Sequence, residues 1–423
     1  MAKFFFKLFI LITFLFLSSG DLLAQYTWTK YLSNPLNVHG TPGSWNQSVT
    51  VPCVIFNSDS NRYEMWFTAF TGATPNPGIG FTYSSDGITW VPPTLVMTPG
   101  PASWELLFVG GVSVIKEDSV YKMWYTGYPP LQIGYATSTD GGINWTKHPN
   151  PVLSPGTGWE SLGVGYPSVI KVTGGYWMFY SGEVSGDVTR TGRAFSTDGI
   201  NWQKDMVNNP VLHPGDPGAW DQDNYLARVI VMNDSLFMCY TAQSVPGNNG
   251  TTAIGFAKSA DMGITWLKDA GNPIITQGTS GSWDYGRIET GSILFKGDEL
   301  KIYYDGSGSV TGNMGRVGLA TSPFEPVSVD DEQTQPTEFT LEQNYPNPFN
   351  PSTTFRYSIL TQSKVVIKIY DILGNEIATL MDEEKSVGTY ELTWNAASLS
   401  SGVYFYQLTA GDFIQTHKMI LIK

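Results

Sequence analysis

The chain has 423 residues and carries 37 acidic against 24 basic side chains, a net charge of −13. That balance argues against a nucleic-acid surface, which is built from clustered Lys and Arg. Its histidines form no zinc spacing, and its cysteines, Cys53 and Cys239, fall in different repeats and different strand positions, so buried free thiols are expected, with neither metal nor cofactor.

In chain order, Met1 to Ala24 carries Lys3 and Lys7, an apolar stretch through Leu17 and a small residue at Ala24, the layout of a secretory leader. No other stretch is apolar enough to span a membrane. From Trp28 onward the chain is periodic. Trp28, Trp90, Trp145, Trp202 and Trp266 recur roughly every sixty residues, interleaved with Trp45, Trp104, Trp159, Trp220 and Trp283, and a fixed period of that size points to a propeller.

Within a repeat, short aromatic and β-branched runs alternate with Gly, Asp and Pro, the pattern of a four-stranded antiparallel meander. The second run recurs as Glu64-Met-Trp-Phe-Thr68, Lys122-Met-Trp-Tyr-Thr126, Trp177-Met-Phe-Tyr-Ser181, Phe237-Met-Cys-Tyr-Thr241 and Lys301-Ile-Tyr-Tyr-Asp305, which makes five blades. The fifth stops at Pro323, without a fourth strand. Trp28-Thr-Lys-Tyr-Leu-Ser-Asn-Pro-Leu36 reads as a fourth strand without its first three. Residues 25–325 are therefore expected to be a five-bladed β-propeller whose N-terminal strand completes the last blade and leaves no open seam.

Residues 326–338 are acidic, polar and Pro-bounded, the composition of a linker. Beyond them, Lys364-Val-Val-Ile-Lys-Ile-Tyr370, Gly388-Thr-Tyr-Glu-Leu-Thr-Trp394 and Gly402-Val-Tyr-Phe-Tyr-Gln-Leu408 alternate like strands of a small immunoglobulin-like β-sandwich over 339–423. The whole chain is thus predicted to be all-β.

The recurring Asp86, Asp140, Asp198 and Asp261 precede Gly in turns between third and fourth strands, and repetition once per blade marks them as hairpin staples. The opposite end of the propeller is built from the loops leading into each first strand, where Asn46, Glu105, Glu160, Asp221 and Asp284 follow the second tryptophan series, so that face is expected to be acidic. Blades 4 and 5 depart from the repeat with Asp221-Gln-Asp-Asn-Tyr-Leu-Ala-Arg228 and Asp284-Tyr-Gly-Arg-Ile-Glu289, and Asp305 replaces the Thr or Ser of the other second strands. A break in repeat symmetry is where a site is expected. Glu183, Asp187, Arg190 and Arg193 of the longer third-blade loop should share that face.

Glycosidic cleavage needs one carboxyl kept protonated and another ionised across a pocket, and Asp223 with Glu289 is the preferred catalytic pair. Asp221, Arg228, Asp284, Arg287, Asp305 and Glu160 are expected substrate contacts, and Tyr166, Tyr225 and Tyr285 could stack on sugar rings. The competing reading has Arg228 and Arg287 neutralising Asp223 and Glu289 to hold blades 4 and 5 together.

Two stretches resemble known families. Asn344-Tyr-Pro-Asn-Pro-Phe-Asn-Pro-Ser352, Ile369-Tyr-Asp-Ile-Leu-Gly374, Ser401-Gly-Val-Tyr-Phe405 and Lys418-Met-Ile-Leu-Ile-Lys423 resemble the type A sorting domain of the type IX secretion system. With the leader, this implies passage through the periplasm to the cell surface or outside, and contact with that secretion machinery. The propeller resembles glycoside hydrolase families 32, 43 and 130, above all the mannoside phosphorylases, through its Asn-Pro-Val-Leu and Ile-Gly-Tyr-Ala-Thr-Ser runs and Trp283-Asp-Tyr-Gly-Arg-Ile-Glu289. The repeated Ser-x-Asp turns resemble the Asp-box of sialidases. The hydrolase families carry acid/base chemistry on early blades, where this chain has Val49-Thr-Val-Pro-Cys53, Phe108-Val-Gly-Gly111 and Gly163-Val-Gly-Tyr-Pro167, without a carboxylate, and the phosphorylases' Glu-Asp-Pro-Arg string is absent. Three functions stay open: a secreted glycosidase, a catalytically silent carbohydrate-binding propeller and, with only two candidate arginines where three are needed, a sialidase-like enzyme. A monomer is expected.

Overall fold

The computed structural model describes residues 26–71, 74–184, 188–232, 235–245, 251–308, 314–324 and 338–422. The leader, Asp187 and residues 326–337 lie outside the described residues. The chain divides into two units, 1–325 and 326–423.

In the first unit each sixty-residue repeat is one sheet, because each strand is too short to bury its apolar face alone and hydrogen-bonds to the next through a tight turn. Blade 1 comprises Ser48–Asn57, Arg62–Thr71, Thr74–Ser84 and Thr94–Met97. Blade 2 is Phe108–Glu117, Val120–Tyr128, Gln132–Ser138 and Thr146–Lys147. Blade 3 is Gly163–Val172, Gly175–Val184, Val188–Ser196 and Gln203–Lys204. Blade 4 is Asp223–Met232, Ser235–Gln243, Thr252–Ser259 and Leu267–Lys268, with Ile275–Thr276 also paired to its third strand.

Blade 5 has Arg287–Lys296, Glu299–Ser307 and Arg316–Pro323, and its outermost strand is Thr29–Lys30, with Thr29 opposite Thr321 and Lys30 opposite Ala320. The closure extends past that pairing. Leu36 N donates to Val317 O at 2.8 Å, and the Asn34 amide both donates to Leu319 O and accepts from Leu319 N, each at 2.9 Å. Asn209 and Asn272 do the same for Arg193 and Phe256, so the recurring Asn-Pro is a side-chain mimic of a strand partner.

The first strands of successive blades touch in a ring, blade 5 against blade 1 included. Between blades the core is aromatic, and second-strand rings reach into the next blade's turn. Trp66 Nε1 donates to Gly142 O (3.2 Å), Trp124 Nε1 to Gly199 O (2.8 Å) and Tyr303 Oη to Gly87 O (3.0 Å). Those turns are held from inside by their aspartates. Asp198 Oδ1 accepts from Ile200 N and Asn201 N, both at 2.8 Å, and Asp86 does likewise for Ile88 and Thr89. Fixed backbone donors favour the ionised form, and the Asn144 N–H with its amide holds Asp140 down to about 2.

The second unit is a β-sandwich. A three-stranded sheet (Thr340–Leu341, Ser352–Ile359, Gly388–Asn395) faces a four-stranded one (Glu376–Lys385, Ser363–Tyr370, Gly402–Ala410, Phe413–Leu421), with Phe355, Tyr357, Ile367, Ile369, Tyr406 and Leu408 buried in its core. The Asn-Pro-Phe string has a structural task here. Buried Asn344 donates to Thr353 Oγ1 (2.9 Å), Ile420 N donates to Asn347 Oδ1 (2.9 Å), and Phe349 N donates to Ile420 O (2.9 Å), which ties the string to the final strand.

Candidate functional site

The site grows out of a defect repeated five times. Every first strand breaks register with its neighbour near its upper end, at Thr50/Cys53, Gly110/Ser113, Gly165/Ser168, Tyr225/Arg228 and Thr290/Ser292. Such a bulge turns backbone N–H groups out of the ladder and re-aims them. Four of the bulges contain a left-handed residue, Val51, Gly111, Tyr166 and Leu226, with φ between 48 and 54°. Only Gly111 adopts this without strain; a β-branched Val51 there is an outlier that its surroundings must hold.

The hold comes from the preceding blade. Thr68 Oγ1 accepts Gly111 N (2.9 Å), Thr126 Oγ1 accepts Tyr166 N (2.7 Å), Ser181 Oγ accepts Leu226 N (3.1 Å) and Thr241 Oγ1 accepts Thr290 N (2.8 Å). Where blade 5 meets blade 1, the acceptor is the Asp305 carboxylate, 2.7 Å from Val51 N. The departure at Asp305 is therefore the last link of the ring, and its carboxyl oxygen accepts a hydrogen bond from the most strained residue.

Above this ring lies the pocket, two adjoining hollows of about 280 and 170 Å³ that share Tyr166, Arg287 and Glu289. The larger also meets Phe70, Phe108 and Asp305, the smaller Glu183, Thr189 and Asp223. Phe70 and Phe108 were not legible as site residues, although Phe70 stands next to the end of its strand and Phe108 starts its own, both at the upper rim; their ring centroids lie 6.4 Å apart.

Glu289 stands directly opposite Asp305 in register. Its Oε1 accepts from Tyr225 Oη (3.0 Å) and pairs with Arg287, whose Nη2 also donates to Tyr225 Oη at 2.9 Å. Burial first, and then the Glu289 charge beside it, hold the Asp305 carboxyl well above the usual carboxylate range. Burial and the same Glu289 push the Tyr166 phenol up to about 12.

Asp223 reaches the smaller hollow, but its oxygens are taken. It accepts from Thr189 N (3.1 Å), Thr189 Oγ1 (3.2 Å), Arg190 Nη1 (3.1 Å) and Gln243 Nε2 (3.0 Å), while burial raises its carboxyl above the ordinary value. Its cationic partner is thus Arg190 of blade 3, which replaces the expected Arg228.

Several other expectations are corrected. Glu160, Asp221 and Asp284, with Glu105, are buried staples inside their own blades, each paired with the lysine of the fourth strand: Glu160 with Lys204 (2.5 Å), Asp221 with Lys268 (2.5 Å), Asp284 with Lys30 (2.6 Å) and Glu105 with Lys147 (3.0 Å). None borders either hollow. Second-strand phenols complete three of them, Tyr180 Oη donating to Glu160 (2.9 Å), Tyr125 Oη to Glu105 (2.8 Å) and Tyr304 Oη to Asp284 (3.4 Å). A Cβ on Gly156 would stand 2.3 Å from Glu160 Oε1, so the preceding loop is shaped around the carboxylate. Blade 1 has neither partner: Asn46 replaces the acid and Pro92 replaces the lysine. That co-variation within the repeat was the available signal.

Arg228 lies beneath the pocket, where its Nη1 donates to Pro167 O (2.5 Å) and Val112 O (3.4 Å) across the axis. Arg193 pairs with Asp205 (2.6 Å) and donates to Met262 O (2.7 Å), away from the hollows, and Tyr285 is exposed and borders neither. Cys53 and Cys239 are buried and free. No group of three or more His, Cys, Asp or Glu among the described residues is placed to hold a metal ion.

Residues 343–423 match the secretion system C-terminal sorting domain family, and residues 128–194 match the beta-1,4-mannooligosaccharide phosphorylase family. The sorting domain directs export by the type IX system to the cell surface or extracellular space. No curated protein matches the chain. Among solved structures, a putative glycoside hydrolase from Bacteroides ovatus shares 18% identity over 69% of this chain and 95% of its own, with a TM-score of 0.54. A thermostable family-43 glycoside hydrolase shares 19% over 67% and 90% (TM-score 0.51), and the beta-1,2-mannobiose phosphorylase of Listeria innocua 12% over 71% and 98% (TM-score 0.53). The first unit thus shares the propeller fold of these glycoside hydrolases and of the phosphorylase, and a sorting domain follows it.

Proposed function

We propose that the protein is an exported glycan-recognising propeller whose upper axial pocket takes one sugar unit of an extracellular saccharide. The observation that carries this is the joining of aromatic faces (Phe70, Phe108, Tyr166) to a fixed polar network (Arg287, Glu289, Tyr225) in a hollow of sugar size at the bulged end of all five blades. Aromatic walls with a few oriented donors and acceptors are what a sugar ring requires. The likeness to hydrolases and to a phosphorylase complexed with mannobiose supports the ligand class.

Recognition is favoured over turnover by the placing of the acids. Cleavage by the common two-carboxylate route needs acids flanking the scissile bond. Here Glu289 and Asp305 share one wall as cross-strand neighbours, and Asp223 has its lone pairs occupied. Hydrolysis is the second reading, favoured by the Asp305 carboxyl, held well above the usual carboxylate range by burial and by Glu289 directly beside it. A sialidase-like reading loses its ground, since Arg228 lies below the pocket and Arg190 is committed to Asp223.

A glycan array and a turnover screen on the full chain, with and without inorganic phosphate, test the proposal. Binding without product, weakened at least about tenfold by Glu289→Gln, is expected from the loss of a charge-assisted contact. Free sugar released by wild type and not by Glu289→Gln would establish hydrolysis, a sugar phosphate would establish phosphorolysis, and no binding to any glycan would remove the proposal.

A further inference from the structure

One ring of residues below the bulges, the first strands carry Cys53, Ser113, Ser168, Arg228 and Ser292 in equivalent register, opposite Trp66, Trp124, Phe179, Cys239 and Tyr303. Three serines repeat the ring-tying pattern: Ser113 Oγ accepts Val169 N (2.9 Å), Ser168 Oγ accepts Val229 N (2.9 Å) and Ser292 Oγ accepts Val54 N (3.1 Å). Blade 4 breaks the column with a long cation, opposite the small Cys239. Small residues at the other four positions leave the axis open, and the Arg228 side chain lies across it, touching carbonyls of blades 2 and 3.

Arg228 lies below the bulges that carry the upper pocket and is a wall of a second cavity of about 440 Å³ on the opposite side of that ring. Aliphatic side chains from all five blades line this cavity, Val54, Val114, Val169, Val229 and Ile293 among them, and no carboxylate does. Its other cation, Lys171, is paired with Glu117 at 2.8 Å. Arg228 has no carboxylate partner among the described residues, is 4% exposed, and keeps two buried donors, Nε and Nη2, without an acceptor. A buried charged donor left unmade is expensive, so the cavity must supply an acceptor. Nε and Nη2 share one edge of the guanidinium plane, the fork that receives both oxygens of a carboxylate in parallel.

We propose that this lower cavity binds a small organic monoanion with an apolar body, a medium-chain carboxylate, with its head on the free edge of Arg228 and its chain against the aliphatic walls. A bare inorganic ion would satisfy the guanidinium but leave those apolar walls against water, where the hydrophobic effect disfavours them. The site is independent of the glycan reading, because the two cavities lie on opposite sides of the ring of bulges.

Isothermal titration of the full chain with octanoate, octan-1-ol and sodium chloride tests it. One octanoate per chain is expected, bound at least about tenfold more tightly than octan-1-ol or chloride, with Arg228→Met removing that preference. Octan-1-ol binding as well as octanoate would reduce the cavity to an apolar hole, chloride competing at equal concentration would make it an inorganic-anion site, and no octanoate binding would remove the site; each overturns the proposal. Should Arg228→Met fail to fold, the comparison of octanoate with octan-1-ol on wild type decides alone.

Discussion

The outer part of the upper face and its axis both hold buried acids, and they use them differently. In the lead-in loops an acid recurs in four of five blades, and each meets the lysine of its own fourth strand, Glu105 with Lys147 through to Asp284 with Lys30. At the axis the acids occur once: Asp305 in a column of Thr and Ser, Glu289 facing it, Asp223 across the smaller hollow. A charge that repeats with the blade solves a problem every blade has. A charge that appears once answers to something the blades do not share, either the closing of the ring or a ligand.

Four measurements test whether repeated and singular acids really differ in this way. Deleting residues 26–36 removes the outer strand of blade 5, the Lys30 partner of Asp284 and the Asn34 bonds to Leu319. A buried acid without its partner and an unpaired edge should together cost on the order of 5 kcal/mol or more, read as loss of the cooperative melt in circular dichroism. A shift of only a few degrees would mean that the closure is incidental.

Next, Asp223→Ala should cost about 3 kcal/mol, because Arg190, Thr189 and Gln243 lose one common acceptor, whereas Glu289→Gln should stay within about 1 kcal/mol of wild type in urea denaturation and yet lose glycan binding. The reverse pattern would make Asp223 the ligand contact and Glu289 the scaffold.

The lead-in column can be tested where nature left it empty. Asn46→Asp puts an acid into blade 1 without a lysine and removes the amide donor to Val38 O, so it should cost about 2 kcal/mol and leave glycan binding unchanged. A neutral outcome would show that these lysines are ornaments of the surface.

The smallest effect depends on pH. The folded carboxyl of Asp305 titrates above its unfolded value, so the folded state binds the extra proton; the stability it contributes is complete below about pH 4 and is lost as pH rises through the folded value. Asp305→Asn, which still offers an oxygen to Val51 N, should match wild type in acid and exceed it increasingly toward alkaline pH. Parallel stability curves from pH 4 to 9 would mean that the carboxyl is ionised throughout.

Much of this was readable in advance and part was not. Tryptophan spacing, the second-strand motif and the orphan Trp28-Thr-Lys30 segment together announce five blades and their closure, since each is a local pattern that repetition amplifies. The Asp turns were legible for the same reason. The lead-in acids looked like pocket residues because their lysines lie more than forty positions away in every case, yet the lysine recurs in the same column of four blades and is missing with Asn46. Arg228 and Asp223 misled differently. Strand alternation says that both point inward, but Asp223 is answered by Arg190 of the neighbouring blade and Arg228 by carbonyls of blades 2 and 3.

Everything set by period is therefore written in the residues themselves: strand, turn, blade number, the swap at the seam and the sorting domain's motifs. Which inward charge is spent on its neighbours and which faces an open hollow emerges when the blades pack together. The reason is geometric. Backbone periodicity assigns a side chain to a face and a height along the axis, whereas its partner depends on the few ångströms between adjacent blades and on a bulge that turns one residue in each first strand out of register.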